Sequence, residues 1–120
     1  MAEREILIVS PLMRKNRIKQ LLPVFTEAVQ KGVSVSVVTR PPEDFTGENA
    51  ELTKENLQVL MDAGIKVILK SSFHQKFTIL DNKTVWYGSV NFLSFGTNEE
   101  SIMRFESFDL AGVLTDTVVP

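Results

Sequence analysis

EILIVSPLMRKNRIKQLLPVFTEAVQKGVSVSVVT, residues 5–39, holds two β-branched apolar runs with one amphipathic segment between them, and that alternation decides the fold. Residues 5–10, EILIVS, are too short for a helix, rich in isoleucine and valine, and closed by Pro11, so they read as a buried strand. From about Asn16 to Lys31 the apolar residues Ile18, Leu21, Leu22, Phe25, Ala28 and Val29 recur at helical spacing, and Gly32 supplies the stop. Pro23 fits two arrangements: the first turn of a helix that starts late, or a kink in one that starts early. Residues 33–39, VSVSVVT, alternate and then become continuously apolar, as a strand entering a sheet core does.

Outward from this unit the rhythm repeats once and then changes. RPPEDFTGEN, with two prolines, a glycine and three acids, reads as a loop; Leu52, Leu57, Leu60 and Met61 then mark a second amphipathic helix that Gly64 ends. Residues 65–70, IKVILK, make a third strand. A β-α-β-α-β order implies parallel strands joined by crossover helices. FHQKFTILDNKTVWYGS then contains two alternating segments joined by DNK, which is hairpin spacing with turn-forming residues. EESIMRFES reads as a further short strand and FDLAGVLTDTVV as a final helix or a tail. The expected fold class is α/β, a mixed and mainly parallel sheet flanked by helices. Residues 1–120 are expected to be a single domain, either complete or cut from the C-terminal end of a larger protein.

Composition narrows the function classes. Hydrophobic residues are 43% and charged residues 23%, a globular balance that excludes disorder as the default state. The chain has no cysteine, which removes disulfides and thiolate metal sites and makes a reducing cytoplasm the expected compartment. The opening MAEREILIVSP does not read as a secretory signal, and no stretch reaches the ~20 apolar residues of a membrane helix. Net charge is −2, so any binding of a polyanion must be local. The richest local source of cations is MRKNRIKQ, with Arg14, Lys15, Arg17 and Lys19. Such a run is ordinarily a solvated helix start. This one follows the first strand, at the strand's C-terminal end, where open α/β folds place ligands.

The chemistry concentrates in HQKFTILDNKTVWYGSVN, residues 74–91. On an extended strand, residues two apart share a face, so His74 and Lys76 project together, a nucleophile beside a cation. Past the hairpin, Gly88, Ser89 and Asn91 offer a tight turn whose backbone and side-chain donors suit an anion. Glu100 in NEES is the candidate carboxylate to fix the imidazole tautomer, with Glu99 as its competitor. Asp81 falls in the hairpin turn, where organising the turn competes with touching substrate. Trp86, Tyr87, Phe92 and Phe95 are as readily core as base-stacking platforms. One histidine and no cysteine cannot build a typical zinc site, so no metal or other cofactor is expected.

The string HxKxxxxD followed by GSxN resembles the HKD motif of the phospholipase D superfamily, matched at His74, Lys76, Asp81, Gly88, Ser89 and Asn91. Asn98 and Glu100 are similar to the family's downstream N-x-E element. The resemblance covers nearly the whole chain, and the phrasing around VVTRPPEDF and WYGSVNFLSFG looks most like small HKD domains attached to helicase-like and nuclease proteins. It implies a phospholipase D/nuclease-like fold and a metal-independent phosphodiesterase. In such an enzyme His74 attacks phosphorus, a phosphohistidine forms, and water releases it, while Lys76 and Asn91 stabilise the phosphoryl oxygens.

In-line displacement needs a nucleophile on one side of phosphorus and a proton donor on the other. This chain has a single histidine. Single-motif members of the family pair two copies, so a C2 homodimer across the active site is expected. Nucleic acid is the expected substrate, with Ser89, Gly88, Arg14 and Lys15 as binding residues and a fused or associated helicase module as a partner. Two rivals remain open: a phospholipid-diester hydrolase or transferase, which no membrane-seeking segment supports, and a catalytically silent nucleic-acid-binding or dimerisation module.

Overall fold

The computed structural model describes residues 3–88 and 102–119. The chain runs β1 (Glu5–Val9), α1 (Lys15–Gln30), β2 (Ser34–Thr39), α2 (Glu48–Asp62), β3 (Lys66–Leu69), β4 (Phe77–Leu80), β5 (Thr84–Gly88), β6 (Ile102–Glu106) and α3 (Phe108–Val118), with a 3-10 turn at Pro42–Asp44. One six-stranded sheet has the order β3-β2-β1-β4-β5-β6. Its first half is parallel, with Ile8 opposite Val37 and Val37 opposite Val67. Its second half is antiparallel, with Val9 opposite Phe77, Phe77 opposite Tyr87 and Trp86 opposite Arg104. The mixed sheet expected from the sequence is present, and its antiparallel half is as wide as its parallel half.

Alternation along the strands sends side chains to two cores. Ile8, Val35 and Val37 face α1 and α2, packing on Ile18, Phe25 and Leu60. Val9, Val38, Phe77, Ile79 and Val85 face the other way, onto Ala111 and Val118 of α3. The result is three layers, helix on sheet on helix. FDLAGVLTDTVV is therefore a helix, begun by the Ser107 hydroxyl, which accepts the Leu110 N–H at 3.1 Å. Among the described residues no helix is long and apolar enough to cross a membrane.

Pro23 lies well inside α1, so the helix starts early. The proline is exposed, on the side where water can take the carbonyl that its missing N–H leaves free. Leu52 and Met61, expected to face the core, are 40% and 49% exposed; the buried face of α2 runs instead through Thr53, Asn56, Leu57 and Leu60.

Candidate active site

Parallel β1, β2 and β3 end at the edge of the sheet where antiparallel β4 begins and β5 finishes. Chain order reverses across β1, with β2 on one side and β4 on the other, and ligands of open α/β sheets bind at such a switch point. His74 stands at this edge. It is exposed, whereas its neighbour Phe73 is 4% exposed and packs into the α3-side core with Phe77. Two buried phenylalanines thus pin the backbone on either side of an exposed imidazole and an intermediate Lys76.

The expectation that His74 and Lys76 lie within a strand is corrected: β4 begins at Phe77, and both residues sit on the segment leading into it. Pairing with β5 nevertheless reaches back to Lys76, whose carbonyl accepts the Gly88 N–H at 3.4 Å. The Lys76 ammonium donates to the carbonyl of His74 at 3.1 Å, which brings the cation to the backbone of the nucleophile candidate. An open recess of about 600 Å³ lies here, lined by Lys70, Ser71, Ser72, Phe73, His74, Gln75 and Tyr87. The Tyr87 ring stacks on Phe77 with centroids 5.8 Å apart, so it forms a fixed wall.

The loop that carries His74 is held from a distance. Asp44 Oδ2 accepts the Ser72 backbone N–H at 2.8 Å and the Arg40 Nε at 2.8 Å. Ser72 has φ +55°, a left-handed conformation that a serine does not favour, and the Asp44 bond holds it there. The bonds from Arg40 and then Ser72 keep the Asp44 carboxyl below the usual carboxylate range. This clamp was not recognised from sequence. The available signal was an arginine and an aspartate four apart bracketing two prolines, a spacing that reads equally well as a plain acidic loop.

Asp81 does not join the group. Asp81 and Asn82 have φ +54° and +56°, as the tight hairpin turn between β4 and β5 requires. That turn lies at the opposite end of β4 from His74. The Asp81 carboxylate accepts the backbone N–H groups of Glu3 (3.0 Å), Arg4 (2.8 Å) and Glu5 (3.0 Å), and those bonds lower its pKa. Its carboxylate ties the start of β1 to the hairpin.

Arg14 and Lys15 stand at the start of α1, at the same end of the sheet as His74, but they line a separate cavity with residues of α2. Ser89, Asn91, Asn98, Glu99 and Glu100, with Phe92 and Phe95, lie outside the described residues. Of the turn expected to follow the hairpin, Gly88 is described, as the last residue of β5. Trp86 sits beside the Arg104 guanidinium, 5.6 Å from its ring centroid. No group of three potential metal ligands occurs among the described residues.

Comparison with known proteins agrees with the fold. The family model for the cardiolipin synthase, PLD-like domain, matches residues 1–117. No curated protein matches the sequence. Among solved structures, the chain is similar to Nuc from Salmonella typhimurium, a phospholipase D family member, at 23% identity and a TM-score of 0.73, covering 97% of this chain and 76% of that one. It is also similar to NucT from Helicobacter pylori, at 16% identity and a TM-score of 0.72, covering 98% and 77%. TrmBL2, an archaeal chromatin protein with a novel mode of DNA binding, aligns at 14% identity and a TM-score of 0.61, over 98% of this chain and 42% of that one.

Proposed function

Since the chain belongs to the family of phospholipase D-like domains, we propose that it is a phosphodiesterase that cleaves nucleic acid through a phosphohistidine at His74, in a site completed by a second copy of the chain. The observation that carries this reading is the exposed His74 at the switch-point edge, with the Lys76 ammonium on its carbonyl and the loop clamped by Asp44.

In the first step a ring nitrogen of His74 forms a bond to phosphorus as the bond to the leaving oxygen breaks, and the second copy's His74 gives that oxygen its proton. In the second step water attacks the phosphohistidine from the side the leaving group vacated. The second copy's histidine takes a proton from the water, and His74 is released with a phosphomonoester as product. Lys76 neutralises charge on the equatorial oxygens, and Asn91 with Ser89 serves the same oxygens from the turn after β5. Glu100 orients the imidazole. No metal is needed for this sequence of steps, and chelators leave activity intact. Its absence of cysteine supports our reading of a chain that works in a reducing cytoplasm, as a domain alone or with a helicase module.

A metal-free cleavage assay on single-stranded and duplex DNA, comparing the wild type with His74→Ala and paired with a native mass measurement, tests the reading. Activity that survives in His74→Ala, or a strictly monomeric active enzyme, removes it. The description of the matching family model, cardiolipin synthase, favours a second reading in which the diester is a phospholipid. An arm with phosphatidylglycerol vesicles separates the two.

A further inference from the structure

We infer that the cavity between the starts of α1 and α2 is a nucleotide subsite, in which a base and its phosphate from a nucleic acid strand are held apart from the reacting diester. The inference rests on the nucleic-acid reading and adds a second site to it. The cavity encloses about 500 Å³, within the range of sites for small ligands, and lies at the same sheet end as His74.

Its wall divides by chemistry. On the α1 side stand Arg14 and Lys15, both exposed, at a helix start whose N-cap makes no side-chain bond and whose first turn holds no acid. Two cations at the positive end of a helix suit a phosphate. On the α2 side stand Phe45, Asn49, Leu52, Thr53 and Asn56. Asn56 is 5% exposed, yet its side-chain amide makes no hydrogen bond to any described residue. An amide that borders a cavity and has no partner in the protein offers its donors and its acceptor to a ligand with acceptors and donors of its own. A nucleobase meets that demand, and Phe45 provides an aromatic surface beside it. Leu52, left 40% exposed on α2, adds an apolar contact.

Charge fixes the orientation. Glu48 and Glu51 occupy the first turn of α2, which makes that end unfavourable for an anion. No carboxylate lines the cavity itself, so the phosphate belongs with Arg14 and Lys15 and the base with Asn56.

The test is a titration of the full chain with thymidine 5′-monophosphate, deoxyadenosine 5′-monophosphate and inorganic phosphate, read by amide chemical shifts. Nucleotides are expected to move the signals of Met13, Lys15, Asn49 and Asn56, and to bind more tightly than inorganic phosphate. Arg14→Glu with Lys15→Glu, both at exposed positions, should weaken nucleotide binding by about tenfold or more. Asn56→Leu, which keeps the volume and removes the orphan amide, should keep the fold while bringing nucleotide affinity down to that of phosphate. Shifts confined to the residues around His74, or phosphate binding as tightly as nucleotide, overturn the subsite. The same titration on His74→Ala separates the two readings. Nucleotide binding retained there supports the subsite even if DNA cleavage is never found, and no nucleotide binding by a wild type that cleaves DNA removes the subsite alone.

Discussion

Asp44 and Ser72, 28 residues apart, are joined by a 2.8 Å bond from the Ser72 backbone N–H to Asp44 Oδ2, the same oxygen that holds Arg40. The bond connects the loop after β2 to the loop after β3, and the second of these carries His74 two residues later. Asp44 therefore holds the loop that carries His74. Asp44→Ala should release Ser72 from its left-handed conformation and let the His74 loop drift, and a displacement of about 1 Å is enough to cost a factor of ~100 in turnover. Hydrogen exchange at the Ser72 amide should accelerate while that at Val37 in the core stays slow. Unchanged exchange at Ser72 would show that the clamp does not set the loop.

The same carboxylate gives the fold a pH dependence. The folded-state pKa values of Asp44 and Asp81 are both lowered, the first mainly by the Arg40 bond and the second mainly by the Glu5 N–H. A lowered folded pKa means stability that is fully present above the unfolded carboxylate value of ~3.9 and is lost as pH falls through the folded value. Thermal unfolding should therefore be flat from neutral pH down to about 5 and decline below that. Asp44→Asn combined with Asp81→Asn should flatten the acid limb while lowering stability at pH 7. An acid limb of unchanged slope would assign the effect to other groups.

Asp81 gives the sharpest contrast between motif and geometry. It ends the HxKxxxxD string, but it binds the backbone N–H groups of Glu3, Arg4 and Glu5, which lead into the first strand, at the far end of β4 from His74. Asp81→Ala should cost about 1 to 2 kcal/mol of stability, since hydrogen bonds to a charged acceptor are being lost in a partly solvated place. A chain of this size should show that as a fall of several degrees in melting temperature. Turnover by the protein still folded should hardly change. A loss of turnover without a loss of stability would return Asp81 to the chemistry.

These cases mark how far the residues alone could be read. The β-α-β-α-β order was legible because EILIVS, VSVSVVT and IKVILK are β-branched runs of strand length, set between segments of helical period. Two apolar residues of α2 were misplaced for a related reason: periodicity gives a face but not its width, and Leu52 and Met61 fall at its margins. His74 was legible as chemistry and slightly misplaced as structure, because the strand begins only where Phe77 can pair with Val9. The Asp44 clamp depends on a contact across 28 residues, and no local pattern encodes a partner that distant. The hairpin turn was visible in DNK, whereas the destination of the Asp81 carboxylate depends on β1 lying beside β4, a pairing the order of strands along the chain does not state.

Lys76 is expected to contribute to rate and little to folding. Among the described residues its ammonium bonds to the exposed His74 carbonyl, an interaction of small structural worth. Lys76→Met keeps the aliphatic stem and removes the charge. If the ammonium stabilises the phosphoryl oxygens, kcat should fall by about 10² to 10³ with melting temperature almost unchanged. An equal fall in both would mean that Lys76 holds the loop rather than the transition state.

The shared site makes a quantitative prediction from the histidine count. If each turnover needs one His74 to attack and another to protonate the leaving group, a dimer of one wild-type and one His74→Ala subunit has no complete site. Mixing the two proteins under exchange should then give activity that follows the square of the wild-type fraction, so that an equal mixture retains about one quarter of the activity of the unmixed enzyme at the same total concentration. Subunits that work independently would retain about one half, because activity would follow the fraction itself. The curve is insensitive to the identity of the diester, so it can be measured with any activated phosphodiester that the wild type cleaves. A linear curve would mean that the proton comes from a group within the same chain, and the search for the general acid would move from the second histidine to Glu100 and its neighbours.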